Sequence, residues 1–271
     1  MIIGRLKEFF RKERFNGFVA QINGPVELLK KRISRGLEKK HSATAVTHKE
    51  AIDWFERRKQ EYDQLISAAS PYIRRDSIIF DIGANIGYFT FLLLQRLDYN
   101  GTAYLFEPVP HLAKLCKTTF RDVPFNVTVF DFGLSDRDTE EDIFIAGDGN
   151  LGWNTLISQK ATSDMKKISI RLKTFDTCGI DVTPSFVKID VEGAEYMVLK
   201  GMLGSLRKWH PLPVVLCEVG WGQDHPAWEE ELWVFTEMKR IGYTICNLDG
   251  LLIDETSLQR TTDVLFIPQK A

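Results

Sequence analysis

No stretch of this 271-residue chain stays apolar for the roughly 18 residues that a membrane-crossing helix needs. The opening, MIIGRLKEFFRKERF, has neither a continuous apolar run nor a small-residue cleavage site, so it does not read as a secretory leader. Four cysteines, Cys116, Cys178, Cys217 and Cys246, are too scattered for a CxxC zinc knuckle or redox pair. They read as ordinary buried thiols. These absences make the cytoplasm the expected compartment. Neither sign of charge dominates: 35 Lys and Arg face 37 Asp and Glu, a formal net charge of −2. That balance disfavours a nucleic-acid grip over the whole protein. Internal repeats and low-complexity tracts are absent, and a chain this long can bury a core without disulfides or structural metal.

Charge is uneven, however. From Met1 to Lys40, Lys and Arg outnumber the acids Glu8, Glu13, Glu27 and Glu38. Ile2, Ile3, Leu6, Phe9 and Phe10 recur near helical spacing with Arg5, Lys7, Arg11 and Lys12 between them. Such a helix suits an anionic membrane surface, here the inner face, or an acidic partner. The simpler reading is the solvated face of a helix packed on the main domain. These helices are also the candidate homodimer surface. The section 1–70 is expected to be helical, interrupted at Gly24-Pro25 and by a loop from Gly36 to Thr47. Thr47 and Glu50 form a capping-box pattern, and one helix carrying Ile52, Phe55, Tyr62 and Leu65 should run to Ala69, before Ser70-Pro71.

Residues 71–271 alternate strands with helices. Ser77 to Ile82 is a β-branched and aromatic run, followed by the turn Gly83 to Gly87 and an apolar helix from Tyr88 to Leu97. Further strands are expected at Thr102–Phe106, Asn126–Phe132, Ser185–Ile189 and Pro213–Glu218, with helices at Pro110–Phe120, Ala194–Leu206 and Glu229–Ile241. Tyr243–Leu248 and Asp263–Pro268 read as a closing antiparallel pair. The alternation predicts an α/β, doubly wound, largely parallel sheet. Ligands of such sheets bind beyond the carboxyl ends of the strands, where strand order switches.

The first strand ends in Asp81-Ile82-Gly83-Ala84-Asn85-Ile86-Gly87. Glycines let the chain turn tightly and let a ligand approach, and the helix that follows offers unpaired amides to a carboxylate or phosphate. The spacing is G-x-x-x-G, not the G-x-G-x-x-G dinucleotide fingerprint. The second strand ends in Phe106-Glu107-Pro108, where an acid can accept both hydroxyls of a ribose.

FDIGANIGYFT followed by YLFEPVP resembles motifs I and II of class I S-adenosylmethionine (SAM)-dependent methyltransferases. FGLSD, SFVKIDVEGAEYMVLKGM, VVLCEVG and DVLFIP, in that order, resemble the FkbM family, many of whose members methylate hydroxyl groups. The likeness spans roughly Ile78 to Pro268, and KIDVEGAE is its most specific element. It implies a Rossmann-like seven-strand sheet, mostly parallel with an antiparallel last strand, and SAM as cofactor. It sets the amino-acid moiety of SAM against Asp81, Gly83 and Asn85 in the turn that Gly87 closes, and the ribose on Glu107. Gly133, Leu134 and Ser135 would line the adenine, with Asp136 nearby. Asn85 stands where the G-x-G spacing has a glycine, as is common in that family.

Methyl transfer to an alcohol needs alignment and removal of the hydroxyl proton. Asp190 and Glu192, where the fourth strand meets a helix, are the first and second candidates for that work, and in class I folds the position of Asp190 adjoins the transferable methyl. The structural alternative for Glu192 and Glu195 is a helix N-terminal charge effect of about 0.3–1 kcal/mol each. Lys188 would pair with one of these acids. Glu218 ends the fifth strand and could face the same pocket, and His225 in the loop beyond could act as base. Paired acids can hold a divalent cation, but no tight metal-ligand spacing occurs and no metal ligand is assigned. Trp153 and Asn154 could form a floor and hydrogen-bond fork for a sugar ring or other polyol, and Trp221 and Trp228 a second aromatic wall. The expected acceptor is therefore a hydroxyl of a sugar, glycan or related natural product. The competing readings are a non-catalytic module that binds a partner or membrane, an RNA methyltransferase, and an NAD-dependent sugar dehydrogenase or epimerase, which would want the G-x-G-x-x-G fingerprint that the chain lacks.

Overall fold

The computed structural model describes residues 46–146, 152, 154–163 and 165–269. The basic amphipathic stretch 1–40 lies outside them. The chain divides at Asp53–Trp54, and the second unit takes in residues 54–70 as well as everything from residue 71 on.

Helix α1 (His48–Glu56) opens with the expected capping box. The Thr47 amide donates to Glu50 Oε2 at 2.8 Å, and the Glu50 amide donates back to Thr47 Oγ1 at 3.3 Å. The single helix expected to run to Ala69 is broken by a turn at Arg57–Arg58, and α2 (Lys59–Ala69) follows it. Beyond it, β1 (Ile78–Ile82), α3 (Tyr88–Arg96), β2 (Thr102–Phe106), α4 (Pro110–Thr119) and β3 (Asn126–Phe130) follow the predicted order within two residues at each end. So do β7 (Phe186–Ile189), α5 (Glu195–Leu206), β8 (Val214–Val219), α6 (Trp228–Ile241), β9 (Tyr243–Cys246) and β10 (Thr262–Pro268). These strands are apolar almost throughout because helices cover both faces of the sheet, so no alternation with polar residues is needed.

The main sheet has seven strands in the order β3-β2-β1-β7-β8-β10-β9. Five run parallel, from β3 through β8, and β10 lies antiparallel between β8 and β9. This is the doubly wound, Rossmann-like arrangement with an antiparallel last strand. The chain runs outward from β1 through β2 to β3, then returns to place β7 on the other side of β1. Strand order therefore switches between β1 and β7, and the crevice at their carboxyl ends is where a ligand site belongs. Phe80, Phe106, Val187, Met202 and Phe266 form part of the continuous core that fixes these ends.

A second sheet was not foreseen. β4 (Gly133–Leu134), β5 (Thr139–Ile145) and β6 (Lys166–Lys173) pair in the order β4-β6-β5. The sequence signal existed: Ile168, Ile170 and Leu172 alternate with polar residues, the period of a half-buried strand. An isolated bridge from Phe144 to Thr155 continues the hairpin and carries Ile143 and Asn154 toward the crevice.

Candidate active site

The carboxyl ends of β1, β2 and β7 border an open cleft. Its floor begins at the turn after β1. Gly83 has φ +81°, and a Cβ there would overlap the carbonyl oxygen of Asp190, so only glycine lets β1 and β7 come this close. Gly87 has φ +79° and caps α3, and its missing side chain makes room for the Phe120 ring. The amides of Gly83 and Ala84 both donate to the Phe106 carbonyl at 3.0 Å, which ties the turn to β2.

Glu107 completes that tie. Its Oε2 accepts the Asn85 amide and its Oε1 the Val109 amide, each at 2.8 Å. The carboxyl is 4% exposed, and burial pushes its pKa up to about 7 against the pull of those two amides. Each oxygen has a second lone pair, so the group that shapes the turn can also accept hydroxyls from the cleft. Asn85 (φ 53°), Gly83 and Glu107 line the cleft. Asp81 lies beneath it, 1% exposed, accepting from Thr90 Oγ1 at 2.5 Å and facing Lys188 Nζ at 3.8 Å.

Pro108, Val109, Leu112 and Ile143 form the apolar side of this end. Gly133, Leu134 and Ser135 do not reach it. They are buried in and beside β4, where the Ser135 amide donates to the Lys173 carbonyl at 2.8 Å and the Ser135 carbonyl packs on Gly201 of α5. Gly133 instead backs Pro108, which a Cβ at position 133 would meet at 3.2 Å.

The opposite end carries acids. Lys188, 4% exposed on β7, donates to Asp190 Oδ2 at 2.9 Å. Burial alone would lower the lysine pKa, but Asp190 and Asp81 override it and hold the ammonium charged. Glu192 sits at φ 58° and lines the cleft with Asp190, its carbonyl accepting from Thr155 Oγ1 at 2.7 Å. Burial, with Asp190 and Glu195 nearby, raises its pKa to about 9. Glu195 is structural in part: its Oε1 accepts the amides of Val191 at 2.8 Å and Gly193 at 3.1 Å, closing the turn that presents Asp190 and Glu192.

Glu218 stands on β8, outside the cleft lining but beside these acids. One ligand atom from each of Asp190, Glu195 and Glu218 lies within 4.8 Å of the others. Burial first, then Asp190, Glu195 and Glu192, raises the Glu218 pKa to about 10.

His225 is not placed to act as a base. It is 3% exposed; its Nε2 bonds the Gly193 carbonyl at 2.8 Å, and its Nδ1 accepts the Ala227 amide at 3.0 Å. Both ring nitrogens are committed, and burial lowers the ring's pKa. Its ring stacks on Trp221 at 5.3 Å, and Trp221 in turn covers Gly193. The pair braces the Gly193 turn, so Trp221 is no wall of the cleft; Trp228 packs edge-on against Phe235.

An aromatic wall does exist, built from residues not foreseen as site residues. Phe55 stacks on Tyr88 at 5.4 Å, and Tyr62 meets both edge-on at 5.7 and 5.3 Å. All three line the cleft, facing Asp190 and Glu192. The helical spacing of Phe55 and Tyr62 was visible, but their destination was not. Asn154 also lines the cleft, its Oδ1 accepting the Ala146 amide at 3.1 Å, while Trp153 is outside the described residues. Among the described residues, no helix is long and apolar enough to cross a membrane.

Against known proteins, the family model described as the methyltransferase FkbM domain matches residues 81–245, more than half of the chain. No curated protein matches. Among solved structures, the chain is similar to a precorrin-6y C5,15-methyltransferase from Geobacter metallireducens GS-15, with TM-score 0.42, 10% identity, and coverage of 76% of this chain and 87% of that one. It is similar to a ribosomal protein L11 methylase from Lactobacillus delbrueckii subsp. bulgaricus, with TM-score 0.41, 6% identity, and 78% and 80% coverage. A SAM-dependent methyltransferase from Aquifex aeolicus gives TM-score 0.40, 10% identity, and 74% and 86% coverage. Likenesses this distant add nothing to what the strand order and the family match carry.

Proposed function

The chain belongs to the FkbM family of SAM-dependent methyltransferases, and we propose that it methylates a hydroxyl of a sugar, glycan or related natural product. The observation that carries this reading is one cleft lined by Glu107 at one end, by Asp190 and Glu192 at the other, and by the Phe55–Tyr88 stack between them.

The turn after β1 fits the cofactor. Free lone pairs on Glu107 match a ribose diol, the side-chain-free Gly83 admits close approach, and the first amides of α3 suit a carboxylate. Bound there, SAM supplies an electrophilic methyl group on a sulfonium. The protein's own task is then to seat a hydroxyl in line and to relieve it of its proton. Aromatic faces pack against the C–H face of a sugar ring, while carboxylates accept from its hydroxyls. Asp190, fixed by Lys188, orients the acceptor and is the first candidate to receive the proton; Glu192 is the second. Gly133 supports the adenine side through Pro108 rather than by contact, and Leu134 and Ser135 stand behind it in and beside β4.

Incubating the protein with methyl-labelled SAM and panels of sugars, glycans, RNA and protein tests the reading. Label on a hydroxyl oxygen of the carbohydrate panel is expected. Label confined to RNA or to protein nitrogen would overturn it, and SAM binding with no transfer to any panel would favour a binding module.

A further inference from the structure

We propose that Asp190, Glu195 and Glu218 form a binding site for one hard divalent cation, of the Mg2+, Mn2+ or Ca2+ class, at the acceptor end of the cleft. The three acids come from separate elements: the end of β7, the first residue of α5, and β8. Their converging atoms, all within 4.8 Å of one another, can share one centre with metal–oxygen bonds of about 2.1–2.6 Å.

Independent of that convergence, Glu195 points to a ligand. The residue is 3% exposed, and its Oε2 is buried without a hydrogen-bond partner, while Oε1 is fully engaged with two amides. A proton on Oε2 would leave an unsatisfied O–H, so protonation does not repair the defect; an ion would. Across the sheet, Asp263 sits directly opposite Glu218 in the antiparallel register, an acid facing an acid, which is unfavourable without a cation between or beside them. Lys188 is the one described cation hydrogen-bonded to the group, and it takes only Asp190 Oδ2. Asp190 Oδ1 remains to turn toward the ion.

Binding of the ion stands apart from the methyl-transfer reading, but its use rests on it. Of the three ligands, Asp190 lines the cleft, so a hydroxyl of the acceptor can take an open coordination position there. Asp190 then orients the hydroxyl through the ion, whose charge also draws the neighbouring Glu192 toward its ionised form, so that Glu192 can take the hydroxyl proton.

The test uses the full chain, stripped with a chelator and titrated with Mn2+ in the absence of SAM, free Mn2+ being read by electron paramagnetic resonance. One Mn2+ per chain, displaced by Mg2+ or Ca2+, is expected. Glu218→Gln should weaken it more than about tenfold, since even groups that only orient a ligand account for roughly 10–100-fold. Glu192→Gln should change it by less than about threefold, well below that range. Circular dichroism confirms that each variant is folded. No binding at about 1 mM Mn2+, the weak end of protein sites, or equal binding by wild type and folded Glu218→Gln, would overturn the proposal. SAM binding to the stripped protein, measured separately by calorimetry, bears on the methyltransferase reading alone.

Discussion

Two ends of one cleft treat buried carboxyls in opposite ways. At the β1–β2 end, Glu107 is surrounded by backbone amides, one on each oxygen. At the β7–β8 end, Asp190, Glu192, Glu195 and Glu218 face one another, and the pKa of Glu218 is driven up to about 10. Neutral amides leave lone pairs suited to neutral hydroxyls. Crowded acids hold excess negative charge that must be met by protons or by cations. On the proposed reading, the same residue type makes a diol clamp at one end and a chemical centre at the other, and substitutions should separate the two.

The largest separation should come from Asp190→Asn. It keeps size and loses the charge, so SAM affinity should stay within about threefold while turnover falls by about 10²–10⁴, the range for losing a group that positions the acceptor or takes its proton. Calorimetry and a single-turnover assay measure the two; parallel losses would erase the distinction between the ends. Gly83→Ala should break both ends together, because the added methyl meets the Asp190 carbonyl at a left-handed backbone position. A loss of about 2–4 kcal/mol in urea unfolding is expected.

Glu107→Gln should act mainly on binding, weakening SAM by about 1–3 kcal/mol, the cost of a charged hydrogen-bond acceptor, with some loss of stability because its NH2 group cannot accept one of the two backbone amides. Its pH dependence follows from the raised pKa. Ribose hydroxyls prefer the ionised acceptor, so wild-type affinity should climb as pH rises through about 7, and the Gln variant should not follow. The sign for stability is the reverse. A buried acid raised from 4.5 to about 7 favours the unliganded fold below 4.5 and loses that contribution as pH rises through 7. The smallest effect on chemistry is expected for His225→Gln, whose amide can still donate to the Gly193 carbonyl. Melting temperature should drop by a few degrees, consistent with about 1 kcal/mol, while the pH–rate profile keeps its shape. A lost acidic limb in that profile would restore His225 as a base.

Much of this was legible beforehand where the physics is local. Strand β1 and its glycine turn declare themselves because a buried parallel strand is continuously apolar and a left-handed turn wants Gly or Asn. Glu107 follows from the fixed length of a strand–helix–strand unit. The wall of Phe55, Tyr62 and Tyr88 was not legible as a site, since helical spacing shows that residues share a face but not what the face meets. His225 misled for the same reason: a polar loop sequence cannot show that Trp221 buries the ring and that Gly193 and Ala227 consume its nitrogens. Gly133 to Ser135 follow a strand end as ligand contacts often do, but a second sheet claims their backbone.

The sequence by itself determined the order of strands and helices, the turn at Gly83 and the acids at the strand ends, because each depends on residues within one turn or one strand of the chain. Only the tertiary structure decided which acids meet. Asp190, Glu195 and Glu218 lie up to 28 positions apart, and the placement of β8 beside β7 brings their charges together. A carboxyl's chemistry is set by the groups within a few ångströms of it, and those groups are chosen by packing.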